Sequence, residues 1–379
     1  MHYPDSQPHH DVPKPSAFNR YKGGILLLVI FAVSLLIAFY FLKGSQYEQT
    51  GKTGQVPPSP VISATATTST FTSPVSPLAP FSPVPTNPLP TLPSDPALIE
   101  MAARRGQQLY ERGSYEEALK LFNTVVEADP GNPKVYDARG SVYTALNDYT
   151  HALDDYNKAV ELDPSFAQAY YNRGRVYSLL REYDQALADL QKSVNLDAPH
   201  FGYRADGNIG LIYHRQGKYD KALEAYTASI TYNSANGDVF FLRGETYTAL
   251  ENYPAAIADY EAAVARFPRY DLAYQSLGYA YYRTGKNDKA SEALKQAIEI
   301  APDSPGAHFY LALVDVTTGD FGSATAAMSQ AVDASSKLPP EDRKFLYTRV
   351  TADLKIFAKE NPDRATAVES MLKLMPQSP

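Results

Sequence analysis

Residues 133–166 read PKVYDARGSVYTALNDYTHALDDYNKAVELDPSF, and this 34-residue stretch decides the fold because its pattern recurs along the chain. A small residue stands at its eighth position, Gly140, and an alanine follows twelve residues later at Ala152. The same two positions recur, with steps of 34 residues and one step of 36, in Gly106, Gly174, Gly210, Gly244, Gly278 and Ala312, and in Ala118, Ala186, Ala222, Ala256, Ala290 and Ala324. Two ladders with one period indicate a stack of like units, whose function is expected to lie in a surface rather than in a reaction centre.

Each unit predicts two amphipathic helices. In the first half, Tyr136, Gly140 and Tyr143 have spacings of four and three residues, which place them on one face of a helix. The second half repeats a tyrosine, then an alanine, then an aromatic residue or leucine four residues later, as in Ala152 and Tyr156. Because proline cannot extend a helix, the second helices are expected to end before Pro130, Pro164, Pro268 and Pro302. The small residues are expected where the two helices cross, and a larger side chain there would cost about 1–3 kcal/mol.

These residues resemble the tetratricopeptide repeat, whose pattern is W-x2-L-G-x2-Y…A-x3-F…P. Here tyrosine replaces tryptophan, and arginine replaces leucine at Arg139, Arg173 and Arg243. The resemblance implies an all-α fold, a right-handed α-solenoid of seven helix pairs with a concave groove. On this register, residues 97–338 hold the units 99–132, 133–166, 167–200, 203–236, 237–270, 271–304 and 305–338, with Phe201 and Gly202 as a two-residue insertion.

Residues 339–379 predict two further amphipathic helices, Glu341–Lys359 and Asp363–Met375. An uncovered end of a repeat stack exposes an apolar face, so these helices are expected to cap the last unit. A helix that binds a partner is the alternative interpretation.

The run from Gly23 to Leu42 contains 20 residues without a charge. At about 1.5 Å per residue it spans about 30 Å, which matches the hydrocarbon core of a bilayer. It follows a short N-terminal tail, residues 1–22, and predicts a transmembrane helix that acts as an uncleaved signal anchor. A cleaved signal peptide is the main alternative, but no A-x-A-like site follows the run.

Residues 43–96 are rich in proline, serine and threonine and predict an extended or disordered linker that holds the repeats away from the membrane. The basic residues before and after the span slightly favour a cytoplasmic N-terminus. We therefore expect a single-pass protein of a bacterial plasma membrane with the repeats outside the cytoplasm. A cytoplasmic repeat domain is the alternative.

The composition and motifs argue against several classes of function. The net charge is −7 and no basic stripe is present, which argues against nucleic-acid binding. Cysteine is absent, which excludes disulfides and thiol chemistry. No catalytic, phosphate-binding or metal-ligating motif was found, so the sequence predicts no enzyme activity, no cofactor and no metal site.

In the tetratricopeptide family, ligands usually lie along the inner faces of the first helices. When the repeat positions that face the groove in the family are transferred to this sequence, the resemblance implies a partner-binding groove. Its lining residues are Gln107, Tyr171, Asn172, Arg175, Asn208, Arg215, Phe241, Tyr279 and Tyr282. The amides of Asn172 and Asn208 suit a peptide backbone because an amide both donates and accepts hydrogen bonds. Arg175 and Arg215 suit a carboxylate.

The resulting prediction is a membrane-anchored scaffold that binds another protein or an extended peptide through this groove. Two alternatives remain open at this stage. Copies of the chain could self-associate as an architectural protein of the cell envelope, or an unrecognised enzymatic site could lie in the C-terminal tail.

Overall fold

A computed structural model of the protein describes residues 95–375, and every regular element within that range is a helix. The described residues fall into two compact units, 95–162 and 163–375. No helix in this range is both long and apolar enough to cross a membrane. The predicted span at 23–42, and the predicted linker up to residue 94, lie outside the described residues.

The helices form successive pairs. Residues 95–162 hold α1 (Pro96–Glu111) with α2 (Tyr115–Ala128), and α3 (Pro133–Ala145) with α4 (Tyr149–Leu162). Residues 163–375 hold α5 (Ala167–Leu179) with α6 (Tyr183–Leu196), α7 (Ala198–Arg215) with α8 (Tyr219–Tyr232), α9 (Gly237–Ala249) with α10 (Tyr253–Arg266), α11 (Asp271–Arg283) with α12 (Asn287–Ile300), and α13 (Pro305–Thr318) with α14 (Phe321–Ser335). Then follow α15 (Pro340–Glu360), a 3-10 turn (Pro362–Arg364) and α16 (Ala365–Leu372). The expected all-α array of about seven helix pairs with C-terminal helices is confirmed over the described residues.

The two ladders of small residues lie inside the helix pairs. All seven alanines of the second ladder, from Ala118 to Ala324, are 0% exposed. In the first ladder, a Cβ added to Gly244 would lie 2.7 Å from the ring of Tyr260, and one added to Gly140 would lie 2.9 Å from the ring of Tyr156. The two helices of a pair therefore cross so closely that the ring of the second helix occupies the space of a side chain on the first.

The turn within each pair places one residue in the left-handed region. That residue is glycine in four pairs and another residue in three: Gly113, Gly217, Gly285 and Gly319, and Asn147, Arg181 and Glu251. In this conformation the N–H of the next residue points back toward the first helix and donates a hydrogen bond to it, as from Asn252 N to Tyr247 O at 2.8 Å. This arrangement satisfies a carbonyl group that would otherwise be left open at the helix end.

The two-residue insertion lengthens a helix and leaves the loop short. Helix α7 has 18 residues, against 13 in α5 and α9, and only Asp197 separates it from α6. The Asp197 side chain accepts a hydrogen bond from the N–H of His200, which fits its role as N-cap. The predicted unit boundary at residue 203 therefore falls inside α7, because the inserted residues continue the helix toward its N-terminus.

The C-terminal helices pack against the last pair. Val350, Leu354 and Phe357 of α15 are buried, as are Val368 and Met371 of α16. The Arg364 guanidinium donates from Nη1 to the carbonyl oxygen of Val316 at 2.7 Å and also to that of Thr317. It thereby satisfies carbonyl groups at the end of α13, where a positive charge also suits the helix dipole.

Candidate functional site

The candidate site lies on residues 163–375, on a surface that we call the first-helix face. It is formed by α5, α7, α9, α11 and α13, the first helices of the five pairs. Each of the first four packs against the first helix of the next pair. Side chains at equivalent repeat positions therefore succeed one another along this face. Within residues 95–375 there is no group of three or more His, Asp or Glu residues placed to hold a metal ion.

Two of the predicted binding residues, Asn172 and Arg175, are partly exposed on α5. The guanidinium carbon of Arg175 lies 5.7 Å from the centre of the Tyr171 ring, within the range of a cation–π contact. Tyr171 itself is only 5% exposed, and its ring lies 5.6 Å from that of Phe201. Tyr171 therefore belongs to the core and supports Arg175 from below.

Two more predicted residues, Asn208 and Arg215, lie on α7 and are also partly exposed. The Asn208 amide donates to the carbonyl oxygen of Arg204 at 2.8 Å, which occupies one of its two hydrogens and fixes the side chain along the helix. Arg215 is hydrogen-bonded to the Tyr183 hydroxyl. Burial lowers the pKa of Arg215, and the neighbouring Arg181 lowers it further, whereas Tyr183 and Tyr226 oppose this shift.

Phe241 was expected to line the groove, but it is only 2% exposed. Its ring packs between those of Tyr260, at 5.9 Å, and Tyr270, at 5.0 Å. The equivalent Phe309 is also 2% exposed. Both phenylalanines fill the core beneath the first-helix face, so neither offers its ring to a ligand in this structure.

Tyr279 lies in a cluster of aromatic rings with one arginine. Its ring is 4.8 Å from that of Tyr310 and 6.2 Å from that of Tyr253. Arg283 donates to the Tyr279 hydroxyl at 2.8 Å, and its guanidinium carbon lies 4.7 Å from the centre of the Tyr253 ring. Burial lowers the pKa of Arg283, but Tyr279, Tyr253 and Glu251 together raise it above its usual value.

Tyr282 lies where the C-terminal helices meet the repeats. Burial raises the pKa of its hydroxyl; a hydrogen bond with Thr317 opposes this shift and the charge of Asp353 on α15 adds to it. Helix α15 also packs against α13. The chain's own C-terminal helices therefore cover this end of the first-helix face, which leaves its open part on the earlier helices.

Gln107 belongs to the other compact unit. It lies on α1, partly exposed, and its amide donates to Glu111 one turn later at 3.0 Å. The structure thus brings together Asn172 and Arg175 with Asn208 and Arg215 on two adjacent helices, whereas Tyr279 and Tyr282 lie together further along.

Sequence reasoning missed three buried ion pairs. Arg173 Nε and Nη2 bind the two carboxylate oxygens of Asp189 at 2.6 and 2.7 Å, in the bidentate geometry that suits guanidinium and carboxylate groups. The pairs Arg139–Asp155 and Arg243–Asp259 have the same geometry. A signal was present, because Arg139, Arg173 and Arg243 each have an aspartate 16 residues later, although Arg105 at the same repeat position has Leu121.

The comparisons with known proteins agree with this architecture. Models described as TPR repeat or tetratricopeptide repeat match residues 106–146, 140–180 and 278–319, residues 208–271, and residues 167–200. Together they cover more than half of the chain.

Individual relatives share only part of the chain. Small glutamine-rich tetratricopeptide repeat-containing protein 2 of Saccharomyces cerevisiae is 36% identical over 125 residues, which are 33% of this chain and 34% of the yeast protein. The chain thus matches about a third of that relative's length.

Two solved structures show the same fold. The APC/C hetero-tetramer Cut9–Hcn1 matches with a TM-score of 0.52 and 19% identity, over 68% of this chain and 50% of that one. Pseudomonas aeruginosa pilF matches with a TM-score of 0.52 and 19% identity, over 57% of this chain and 97% of that one. At this identity the likeness concerns the fold alone. The repeat models and the helix pairs together identify the chain as a tetratricopeptide repeat protein.

Proposed function

We propose that this protein is a membrane-anchored scaffold that binds an extended segment of another protein through its first-helix face. The observation that carries the proposal is the position of four polar side chains, two on α5 and two on the adjacent α7. These are Asn172, Arg175, Asn208 and Arg215, all partly exposed on helices that pack side by side.

The chemistry of these groups suits an extended peptide. A peptide backbone presents N–H and C=O groups in alternation, and an asparagine amide can satisfy either kind. Arg175, which rests on the Tyr171 ring, offers several N–H donors from a support that limits its motion. The right-handed coil expected of the family would place this face along a groove.

The proposed anchor is the uncharged run of 20 residues at 23–42. Its length supports a span of about 30 Å, and the linker that follows would separate the repeats from the bilayer. We place the protein in a bacterial plasma membrane with the repeats outside the cytoplasm. Alkaline extraction of membranes and protease treatment of intact spheroplasts test both statements. Release of the full chain by alkali contradicts the anchor, and protection of the repeats from protease contradicts the orientation.

The binding surface is tested in the native cell with a photo-crosslinking residue. It is placed at Gln168, at the start of α5, or at the exposed Lys192 on the second helix α6. We expect discrete adducts from position 168 and fewer from position 192. Replacing Asn172, Arg175, Asn208 and Arg215 with alanine should abolish the adducts at position 168.

A matched control replaces four exposed residues of the second helices, Gln185, Lys192, Lys221 and Glu224, with alanine. Both variants should keep the helical circular-dichroism spectrum of the wild type. Adducts at position 168 that persist in the first variant would rule out the first-helix face as the binding surface.

A further inference from the structure

The two ends of the repeat stack differ in what covers them. At the C-terminal end, α15 and α16 pack against the last pair. At the N-terminal end, the outer face of α1 carries Leu98, which is 38% exposed, and Met101, which is 61% exposed. These two side chains lie side by side on the helix, because residues three apart share one face. We call them the N-terminal patch.

Met101 occupies a repeat position that is buried in every other pair. Its six equivalents are 5% exposed or less: Val135, Ala169, Ala205, Val239, Ala273 and Ala307. Val135 shows the reason, because α2, the second helix of the preceding pair, packs against its helix α3. No pair precedes α1 among the described residues. A terminal repeat needs a polar outer face, so a large apolar side chain at this position calls for a cover.

The rest of this face of α1 is already polar. Arg105 and Gln108 come next, with Arg105 Nη1 3.4 Å from Gln108 Oε1, and the exposed Arg112 follows. The position of Gln108 is apolar or threonine in the other six units, where it is 1% exposed or less. The patch is thus confined to the first two turns of α1, next to the point where the preceding chain joins the helix.

The small size of the patch favours a particular kind of occupant. A stable interface between two proteins buries about 800 Å² on each partner, and two apolar side chains beside charged neighbours supply much less. A segment tethered next to the patch needs less contact, because attachment raises its effective concentration to about the millimolar range. These considerations favour a short segment of the same chain over a second copy or a separate protein.

The chain before α1 has the geometry and the composition for this role. Asp95 has a φ of −81° and a ψ of 114° and caps α1 by accepting a hydrogen bond from Ala97 N at 2.9 Å. The backbone therefore leaves the helix axis only three residues before Leu98. Residues 89–93 read Leu-Pro-Thr-Leu-Pro. Because proline has no N–H, this run brings fewer backbone donors that would need partners on an apolar surface.

We propose that Leu89 and Leu92 fold back over Leu98 and Met101 and close the N-terminal end of the repeat stack. In an extended proline-rich run these leucines lie about 9 Å apart, enough to span two residues that are separated by about 4.5 Å along the helix axis. The inference is independent of the proposed binding function, which stands or falls by its own crosslinking test.

Peroxide footprinting of the full-length protein in nanodiscs tests the cover. The chain has no cysteine to consume the oxidant, so methionine is the main target. Mass spectrometry gives the oxidation rate of each methionine. We expect Met101 to react about fivefold more slowly in the wild type than in the double variant Leu89→Ser with Leu92→Ser. Met328 and Met371, each 1% exposed, should stay unreactive in both proteins and thereby show that the repeats remain folded.

A matched control changes two apolar residues further from α1, Leu78→Ser with Val84→Ser, and should keep the wild-type rate at Met101. Equal Met101 rates in the wild type and in the Leu89→Ser, Leu92→Ser variant would overturn the inference. So would an increase of the same size in the control variant, because the effect would then not depend on the segment next to the helix.

Two further conditions identify other occupants. Protection of Met101 that is lost on dilution would assign the patch to a second copy of the chain. Protection that is lost when detergent micelles replace the nanodisc, while the Leu89→Ser, Leu92→Ser variant behaves like the wild type, would assign it to lipid. Either result refutes the proposed cover.

A direct contact is measured by NMR with 13C-labelled methionine and leucine methyl groups. The Met101 methyl group should show nuclear Overhauser effects to the methyl groups of Leu89 or Leu92, assigned by their loss in the two single serine variants. Contacts of the Met101 methyl group with Leu98 alone would contradict the inference even where peroxide reacts slowly.

Discussion

Arg173 and Asp189 show how single residues are matched across a helix pair. Where the first helix carries arginine at this position, the second carries aspartate 16 residues later; where it carries Ile209, Leu277 or Leu311, the second carries alanine. The exception is Arg105, whose counterpart is Leu121. The aspartates are buried, and each accepts two hydrogen bonds from its arginine, which offset the loss of hydration.

This matching predicts the outcome of a mutant cycle. Arg173→Leu leaves the Asp189 carboxylate buried without its bidentate partner, and we expect a loss of about 3 kcal/mol in the free energy of unfolding. The double variant Arg173→Leu with Asp189→Ala, which copies the Leu277–Ala293 combination, should recover most of this loss. Urea unfolding followed by circular dichroism measures both variants. Equal losses in the single and double variants would show that the pair is not coupled.

Asp206 occupies the repeat position that carries an aromatic residue in several other units, such as Tyr170 and Phe240. It is only 9% exposed, and burial raises its pKa from 3.8 to about 6. A raised folded-state pKa means that the protonated group favours the folded state below about pH 4, and that this contribution is lost as the pH rises through 6.

Asp206→Asn should remove this dependence. We expect the variant to gain stability relative to the wild type, by up to about 2 kcal/mol, as the pH increases from 4 to 7. Urea unfolding at several pH values within that window gives the difference directly, and the other titrating groups cancel. Parallel stability profiles for the two proteins would contradict the assigned pKa.

At the scale of the helix pair, the turn between the two helices imposes the strictest backbone requirement. All seven described turns place one residue at a φ between 56° and 89°, and Gly285 is one of them, at 73°. Nothing lies within 4 Å of a Cβ added at Gly285, so any cost of a side chain there comes from the backbone and not from crowding.

Gly285→Ala should therefore lower the free energy of unfolding by about 1–2 kcal/mol. Gly131→Ala is the matched control, because Gly131 also has open space around its Cβ position but is not among the positive-φ residues. Chemical denaturation of both variants tests this. A loss of stability in the control equal to that in Gly285→Ala would mean that the left-handed conformation is not the cause.

The helix pairs were predictable from the sequence because the ladders report directly on where two helices cross. The length of α7 was not, since Phe201 and Gly202 can join either a loop or a helix. Gly202 also lies against the Tyr232 ring, 2.7 Å from the position of an added Cβ, a tertiary contact that spacing does not reveal. The sequence also did not predict which side chains would be exposed. Phe241 and Arg215 both occupy groove positions of the repeat, yet the Phe241 ring packs in the core whereas Arg215 is partly exposed.

At the scale of the whole molecule, a repeat stack is stabilised mainly by contacts between neighbours, so its ends are its weakest parts. In residues 163–375 the last pair is covered by α15 and α16. Arg364 joins these helices to α13 through the carbonyl oxygens of Val316 and Thr317. A second hydrogen bond joins Ser335 Oγ at the end of α14 to the Tyr347 hydroxyl of α15 at 2.6 Å. Arg364 contributes the charged link between the C-terminal helices and the repeats.

Arg364→Ala should therefore loosen the C-terminal helices without disturbing the rest of the stack. We expect faster amide hydrogen exchange within residues 340–372 and unchanged exchange within 167–250, because local opening draws on nearby contacts only. Because α15 also covers Tyr282, the same opening should expose that side chain and increase its reactivity toward a tyrosine-modifying reagent. Lys359→Ala, an exposed substitution on α15, is the control. Exchange that increases equally in both segments would show that the stack unfolds as one cooperative unit, and that Arg364 contributes to its global stability rather than to a local closure.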